Sequence, residues 1–254
     1  MHIDVLTLFP DLFAAPLGMS VVGRAQSKGL VTIEAHDLRR WAADARGTVD
    51  DAPYGGGGGM VLMPEPLSAA ITELARTNDA GPVIYLAPDG ERLTQKIVNE
   101  LALESHLILI AGHYRGIDER IRERYVDREL SIGDYVLTGG ELPALVLIDA
   151  VVRLIPGVLG NFESALEDSF QDDLLDCPWY TRPQVFEDMA VPSVLLSGDR
   201  AAIRRWRLAQ ARARTRARRP DLADRWGADE EHSRNSMNSP EGSEDPAGSN
   251  HIRA

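Results

Sequence analysis

The alternation of apolar and polar positions divides the chain into short strands and longer helical stretches. Residues 3–9 (IDVLTLF) form an apolar run broken only by Asp4 and Thr7, which predicts a buried strand, and Pro10-Asp11 opens the turn after it. A helix is predicted over 16–28, with Gly29 in the stop position. Residues 31–38 alternate and predict a second strand, whereas 39–60 end in a run of glycines and predict no regular structure. Residues 63–76 have a helical period. Residues 83–87 (VIYLA) predict a short buried strand closed by a tight Pro88-Asp89-Gly90 turn. A helix over 93–103, a buried strand over 106–111, a charged helix over 117–124 and a strand over 125–131 follow. Residues 133–140 predict a loop, and 142–155 an apolar helix stopped by Pro156-Gly157. Strands alternating with helices imply an α/β domain with a mostly parallel sheet over residues 1–160. Residues 161–176 are acidic and weakly periodic, as in an interdomain linker. From 194 onward the period is helical, with Ile203, Trp206, Leu208 and Ala209 on an apolar face, so residues 177–226 predict a small basic helical domain.

Composition narrows the class. Apolar residues are 44% and charged residues 26%, as in a soluble globular chain, and no run approaches the ~20 apolar residues of a membrane span. The first residues lack a basic segment and carry Asp4, so a cytoplasmic location is expected. Cys177 is the single cysteine, which excludes an internal disulfide framework and a cysteine-based zinc cluster; the six histidines are scattered without a ligand spacing such as HExxH. The net charge of −12 is unevenly spread. Residues 227–254 hold six acids and two arginines among Ser, Asn, Gly and Pro, and predict a disordered acidic tail. Residues 198–226 hold ten arginines against three aspartates, a local field that suits a nucleic-acid backbone in spite of the acidic total.

Several segments offer chemistry. Gly55–Gly59 can surround an anion with bare N–H groups or simply form a flexible loop, but Met60-Val61 follows where a phosphate-binding loop needs Lys and Ser or Thr. Three strand-like runs open into Gly- or Pro-bearing turns: Tyr85-Leu-Ala-Pro-Asp-Gly90, Ala111-Gly-His-Tyr-Arg-Gly-Ile-Asp118 and Ser131-Ile-Gly-Asp-Tyr-Val-Leu-Thr-Gly-Gly140. Such turns gather at the carboxyl ends of strands in an open α/β sheet, and their main-chain donors with interleaved Tyr and Leu suit a purine nucleoside. Arg153 and Asp168 are candidate acid–base chemistry, but spacing alone does not choose Asp168 over Asp172, Asp173 or Asp176.

Taken together, the strings Leu6-Thr-Leu-Phe-Pro10, Val49-Asp-Asp-Ala-Pro-Tyr-Gly-Gly-Gly57, Gly116-Ile-Asp-Glu-Arg120, Gly139-Gly-Glu-Leu-Pro143, Ile155-Pro-Gly-Val-Leu-Gly160, Glu167-Asp-Ser-Phe170, Tyr180-Thr-Arg-Pro183 and Arg204-Arg-Trp-Arg207 resemble the bacterial tRNA (guanine-N1)-methyltransferases over roughly residues 1–225. These belong to the SPOUT class of trefoil-knotted methyltransferases. The resemblance implies that the three turns are the crossings of a deep trefoil knot in a SPOUT-type parallel sheet. It implies S-adenosylmethionine bound by Tyr85, Leu86 and Pro88 of the first turn and Gly112 and Tyr114 of the second. The third turn supplies Ile132, Gly133, Asp134, Tyr135, Val136, Leu137, Gly139 and Gly140. It further implies a homodimer with a shared active site, Asp168 as general base and Arg153 as its electrostatic partner. Gly58, Gly59, Ser164, Asp176, Arg204, Arg205 and Arg207 would lie against tRNA, the substrate and partner, with methylation at guanine 37, 3′ of the anticodon. Relatives carry Glu where this chain has Arg115. Magnesium dependence in the family has been linked to carboxylates there, so the resemblance leaves magnesium open. A related enzyme for another RNA position, or an RNA-binding module without catalysis, are the alternative readings.

Overall fold

The structure is a computed structural model that describes residues 1–77, 81–160, 168–171 and 173–224. The chain divides into two compact units, Met1–Leu166 and Glu167–Ala254. Among the described residues no helix is long and apolar enough to cross a membrane.

The first unit is built on five parallel strands: β1 (His2–Thr7), β2 (Thr32–Asp37), β5 (Val83–Arg92), β6 (His106–Ala111) and β7 (Arg128–Ser131). They run side by side in the order β2-β1-β6-β5-β7. Every residue of β6 is buried, as expected of a central parallel strand covered on both faces. Side chains alternate between two cores with the strand's period of two. Ile3, Val5, Leu107, Leu109, Ile84 and Leu86 face one cluster. Leu6, Ile108, Ile110, Val83 and Tyr85 face the other. The first cluster is covered by α1 (Asp11–Leu17), α2 (Ser20–Ser27), α4 (Gln95–Leu101) and α6 (Glu141–Val152). The second is covered by α3 (Pro64–Thr77) and α5 (Glu119–Tyr125). Each fully buried Leu or Ile in these layers contributes about 1.5–3 kcal/mol, so the two cores rather than local propensity fix the helices.

Three expectations need correction. The single helix over 16–28 is two helices that break at Gly18-Met19. The backbone leaves the helical path there, with Met19 extended and Ser20 at φ +53°, and Gly23 then packs so close to Gly18 that a Cβ would lie 2.3 Å from the Gly18 carbonyl oxygen. Gly29, with φ +69°, does stop the second one. The segment before Met60 is not wholly irregular. Asp50–Asp51 (β3) pairs antiparallel with Val61–Leu62 (β4), so the glycine run lies between two short paired strands. Finally, Pro88-Asp89-Gly90 does not end its strand. Leu86 and Glu91 both stand opposite Leu130, so β5 bulges outward over four residues and resumes pairing with β7.

In the second unit, β8 (Val185–Phe186) and β9 (Met189–Ala190) form a hairpin turned by Glu187 and Asp188, both at positive φ. A helix then spans Arg200–Arg218. Its first N–H groups, of Ala201 and Ala202, donate to the Asp199 carboxylate, a cap worth about 1 kcal/mol. The apolar face expected on this helix is shifted. Leu208 and Ala209 are exposed, while Ala211 and Thr215 are buried on a line that continues through Ile203 and Trp206. The tail expected at 227–254, part of the linker expected at 161–176, and Ser164 lie outside the described residues.

Candidate functional site

The three predicted turns meet in one cleft at the bulge of β5 and the carboxyl ends of β6 and β7. Tyr85, Leu86 and Pro88 line it from the β5 bulge, Gly112 and Tyr114 from the turn after β6, and Ile132, Gly133, Tyr135, Val136, Leu137, Gly139 and Gly140 from the turn after β7. Asp134 is the exception among the cofactor candidates, since its residue is exposed and not part of the lining. Among the glycines that line the cleft, backbone comes closest to backbone at Gly140. A Cβ there would fall 2.8 Å from Ala111 Cα and 3.0 Å from Gly112 N, and its N–H donates to the Gly112 carbonyl at 2.8 Å. The last two turns are therefore locked main chain to main chain, and only glycine allows it. Between them, residues 135–138 stand exposed, Val136 at 83%.

Electrostatics organise the walls. Arg122 on α5 donates to Glu129 on β7 and, at 2.8 Å, to Asp89 in the β5 bulge, which holds the Asp89 carboxyl below the usual carboxylate range. Its guanidinium also lies 5.6 Å from the centre of the Tyr85 ring. Burial pushes the Tyr85 hydroxyl above its ordinary range against the pull of that guanidinium. Behind the lining residues, Thr7 Oγ1 donates to Glu141 Oε1 at 3.0 Å, tying the end of β1 to the first turn of α6. Glu141 Oε2 is 4.0 Å from His113 Nδ1, a buried atom with no hydrogen-bond partner in the structure.

His113 and Arg115 line the cleft as well; the sequence marks Arg115 only as a departure from the Glu of relatives, and gives His113 no role. Their flanking of Gly112, Tyr114 and Gly116 was the available signal. Arg115 links the cleft to the glycine run: its main-chain N–H donates to the Met60 carbonyl at 3.0 Å, and its guanidinium Nε donates to the Gly58 carbonyl. Gly59, at φ +93°, lets the Arg115 side chain pass, since a Cβ would meet it at 3.2 Å.

Arg153 caps the end of α6, half-buried, its N–H donating to the Asp149 carbonyl. Asp168 belongs to the second unit, half-buried, with its carbonyl accepting from the Gln171 N–H at 3.4 Å. Asp176, expected near substrate, is engaged within its own unit. Its carboxylate accepts from Cys177 N–H and Trp179 Nε1–H, and its carbonyl accepts from Arg214 at 3.2 Å. Arg207 stacks 4.4 Å over the Trp179 ring, whereas Arg204 and Arg205 are exposed.

The family model of tRNA (Guanine-1)-methyltransferase TrmD matches residues 1–225. A tRNA (guanine-N(1)-)-methyltransferase of Chloroflexus aggregans is 57% identical over 229 residues, 90% of this chain and 89% of that protein. One of Chloroflexus aurantiacus is 56% identical over 90% of each chain. The enzyme of Salmonella newport is 53% identical over 235 residues, 92% of each. A match of this length and identity, over a chain whose three turns close on one cleft, means that this protein belongs to the tRNA (guanine-1)-methyltransferase TrmD family.

Proposed function

We propose that this protein transfers a methyl group from S-adenosylmethionine to N1 of guanine 37 in tRNA, just 3′ of the anticodon. The observation that carries the reading is the convergence of the three glycine-bearing turns on one cleft in a chain of this family. The donor fits this cleft: side-chain-free positions at Gly112, Gly139 and Gly140 let an adenosine come close to the main chain of the turns, and Tyr85, Ile132 and Leu137 offer apolar surface. When bound, S-adenosylmethionine supplies an electrophilic methyl on a sulfonium that leaves as a neutral thioether. We read the same three turns as the crossings of a trefoil knot, and the working unit as a homodimer.

The residues' roles follow from guanine chemistry. N1 carries a proton at neutral pH and is a poor nucleophile until that proton leaves. The Asp168 carboxylate accepts the N1 proton as the nitrogen lone pair forms its bond to carbon. Negative charge then builds on O6, where the Arg153 guanidinium stabilises it. Gly58, Gly59 and Ser164 lie near the splayed-out base in this reading. Residues 1–160 bind the donor, 161–176 link, and 177–226 grip the tRNA backbone. Arg204 and Arg205, exposed on the long helix, serve as phosphate contacts that set position rather than sequence. Arg207 and Asp176 support that surface from within the second unit.

The test is methylation of an unmodified tRNA transcript bearing guanine 37, with labelled donor, wild type beside Asp168→Ala, each with and without magnesium. Label recovered as 1-methylguanosine at that position, and lost in the variant by a factor of at least ~100, is the expected result. Label on another nucleotide, or full activity in Asp168→Ala, overturns the assignment.

A further inference from the structure

Away from the cleft, the buried acid Asp4 of β1 gathers His2 and His106 from the starts of β1 and β6 and His36 from the later part of β2. Asp4 is 1% exposed. Its Oδ1 lies 3.1 Å from His2 Nε2 and 2.6 Å from His36 Nε2, and its Oδ2 lies 2.8 Å from His106 Nε2. His2 and His106 are register partners at the first positions of β1 and β6, while the cleft opens beyond Ala111. At ~3.3 Å per residue the two places are roughly 16 Å apart along β6. The methyl-transfer reading uses none of these residues.

We propose that His2, Asp4 and His106 form a binding site for a divalent zinc ion. Their donor atoms all lie within 4.8 Å of one another. Zinc takes imidazole nitrogen at about 2.0–2.1 Å and carboxylate oxygen at about 2.0–2.2 Å, which sets donors roughly 3.3 Å apart in a tetrahedral shell. His2 Nε2 stands 3.1 Å from Asp4 Oδ1 and His106 Nε2 2.8 Å from Asp4 Oδ2, so the ion would sit between the two imidazoles and engage both carboxylate oxygens or, after a rotation of the carboxylate, one of them.

Histidine 36 plays a different part. Arg40 Nη1 stands 3.5 Å from its Nδ1, and a guanidinium can only donate. His36 Nδ1 is therefore the acceptor, and Nε2 keeps its hydrogen and donates it to Asp4. That leaves His36 as the outer group that orients the carboxylate, the usual second partner of a metal-binding acid. The fourth position of the shell falls to water, which reaches the site beside His2, whose side chain is 23% exposed against 1% for His106. Two neutral imidazoles and one carboxylate form the nitrogen–oxygen set that suits zinc over magnesium or calcium. The ion would fasten the starts of two central strands that are 104 positions apart in sequence, from residue 2 to residue 106.

The experiment uses the full chain with any purification tag removed, stripped with chelator and titrated with zinc chloride. Bound metal per chain is measured by atomic emission, and the thermal midpoint with and without zinc. The expected result is one zinc per chain, a raised midpoint that chelator reverses, and a cobalt(II) form with the intense visible absorption of four-coordinate sites. His2→Ala, and His2→Gln should the first variant fold poorly, is expected to weaken zinc binding at least ~10-fold while keeping the metal-free midpoint. No stoichiometric zinc in wild type overturns the proposal, leaving a hydrogen-bonded hub. So does an equal zinc response in the His2 variant.

Discussion

Substituting one atom distinguishes glycines that the chain needs from those it merely has. Gly140→Ala pushes a methyl into the backbone of Ala111 and Gly112. Overpacking of this kind costs about 1–3 kcal/mol, to be read from urea denaturation, with binding of the methyl donor lost alongside. Gly58→Ala, where a Cβ meets nothing within 4 Å and φ is not positive, is expected to leave stability within about 0.5 kcal/mol. Tyr85 supplies a pH prediction. Burial raises its folded-state pKa above the ordinary value of 10.0, so folding favours the protonated phenol. The stability it contributes is present below pH 10.0 and is lost as pH rises through the raised folded-state value. In an ultraviolet difference titration of the folded protein one tyrosine should ionise late, and that late step should vanish in Tyr85→Phe.

Between elements, single polar contacts join pieces distant in sequence. Thr7→Val removes the hydroxyl that links β1 to α6 and leaves Glu141 Oε1 buried without that donor. The expected loss is about 1–3 kcal/mol in urea, well above that of a surface threonine. Such contacts mark the limit of what patterning reveals. The β6 strand was legible to the residue, because HLILIA is a bounded apolar run covered on both faces. The bulge at Pro88-Asp89-Gly90 read as a stop, since only its neighbour β7 shows that pairing resumes at Glu91 and Arg92. The break after Leu17 falls at an extended Met19 and a positive-φ Ser20, neither of which a helical period marks. The three turns were legible because turn residues follow strand-like runs, and their meeting follows from parallel order. Arg115 stood out as a departure from its relatives, whereas His113 carried no signal beyond its place among glycines. The histidines looked scattered, at positions 2, 36 and 106, because what gathers three of them is strand order and register.

For the molecule as a whole, charge is divided between jobs. The arginines of the long helix are not equivalent: Arg207 and Arg214 are spent on Trp179 and on the Asp176 carbonyl, while Arg204, Arg205, Arg212, Arg216 and Arg218 are exposed. The logarithm of the tRNA binding constant is therefore expected to fall linearly with the logarithm of salt concentration. Arg204→Ala or Arg205→Ala should each reduce that slope by about one in a filter-binding series, uniformly across tRNA sequences. Arg207→Ala should instead cost stability of about 0.5–1 kcal/mol in the second unit. The strand order has a consequence in time as well as in space. β1 finds both of its neighbours far downstream, the nearer beginning at Thr32 and the more central, β6, at His106. During synthesis the first strand must wait for more than a hundred residues to emerge before the middle of its sheet exists. All five strands are parallel, with no hairpin among them to nucleate the sheet locally. Until β6 emerges the nascent chain has only β2 to pair with β1, so the middle of its sheet stands open to holding factors and to aggregation in a way the finished molecule's never is.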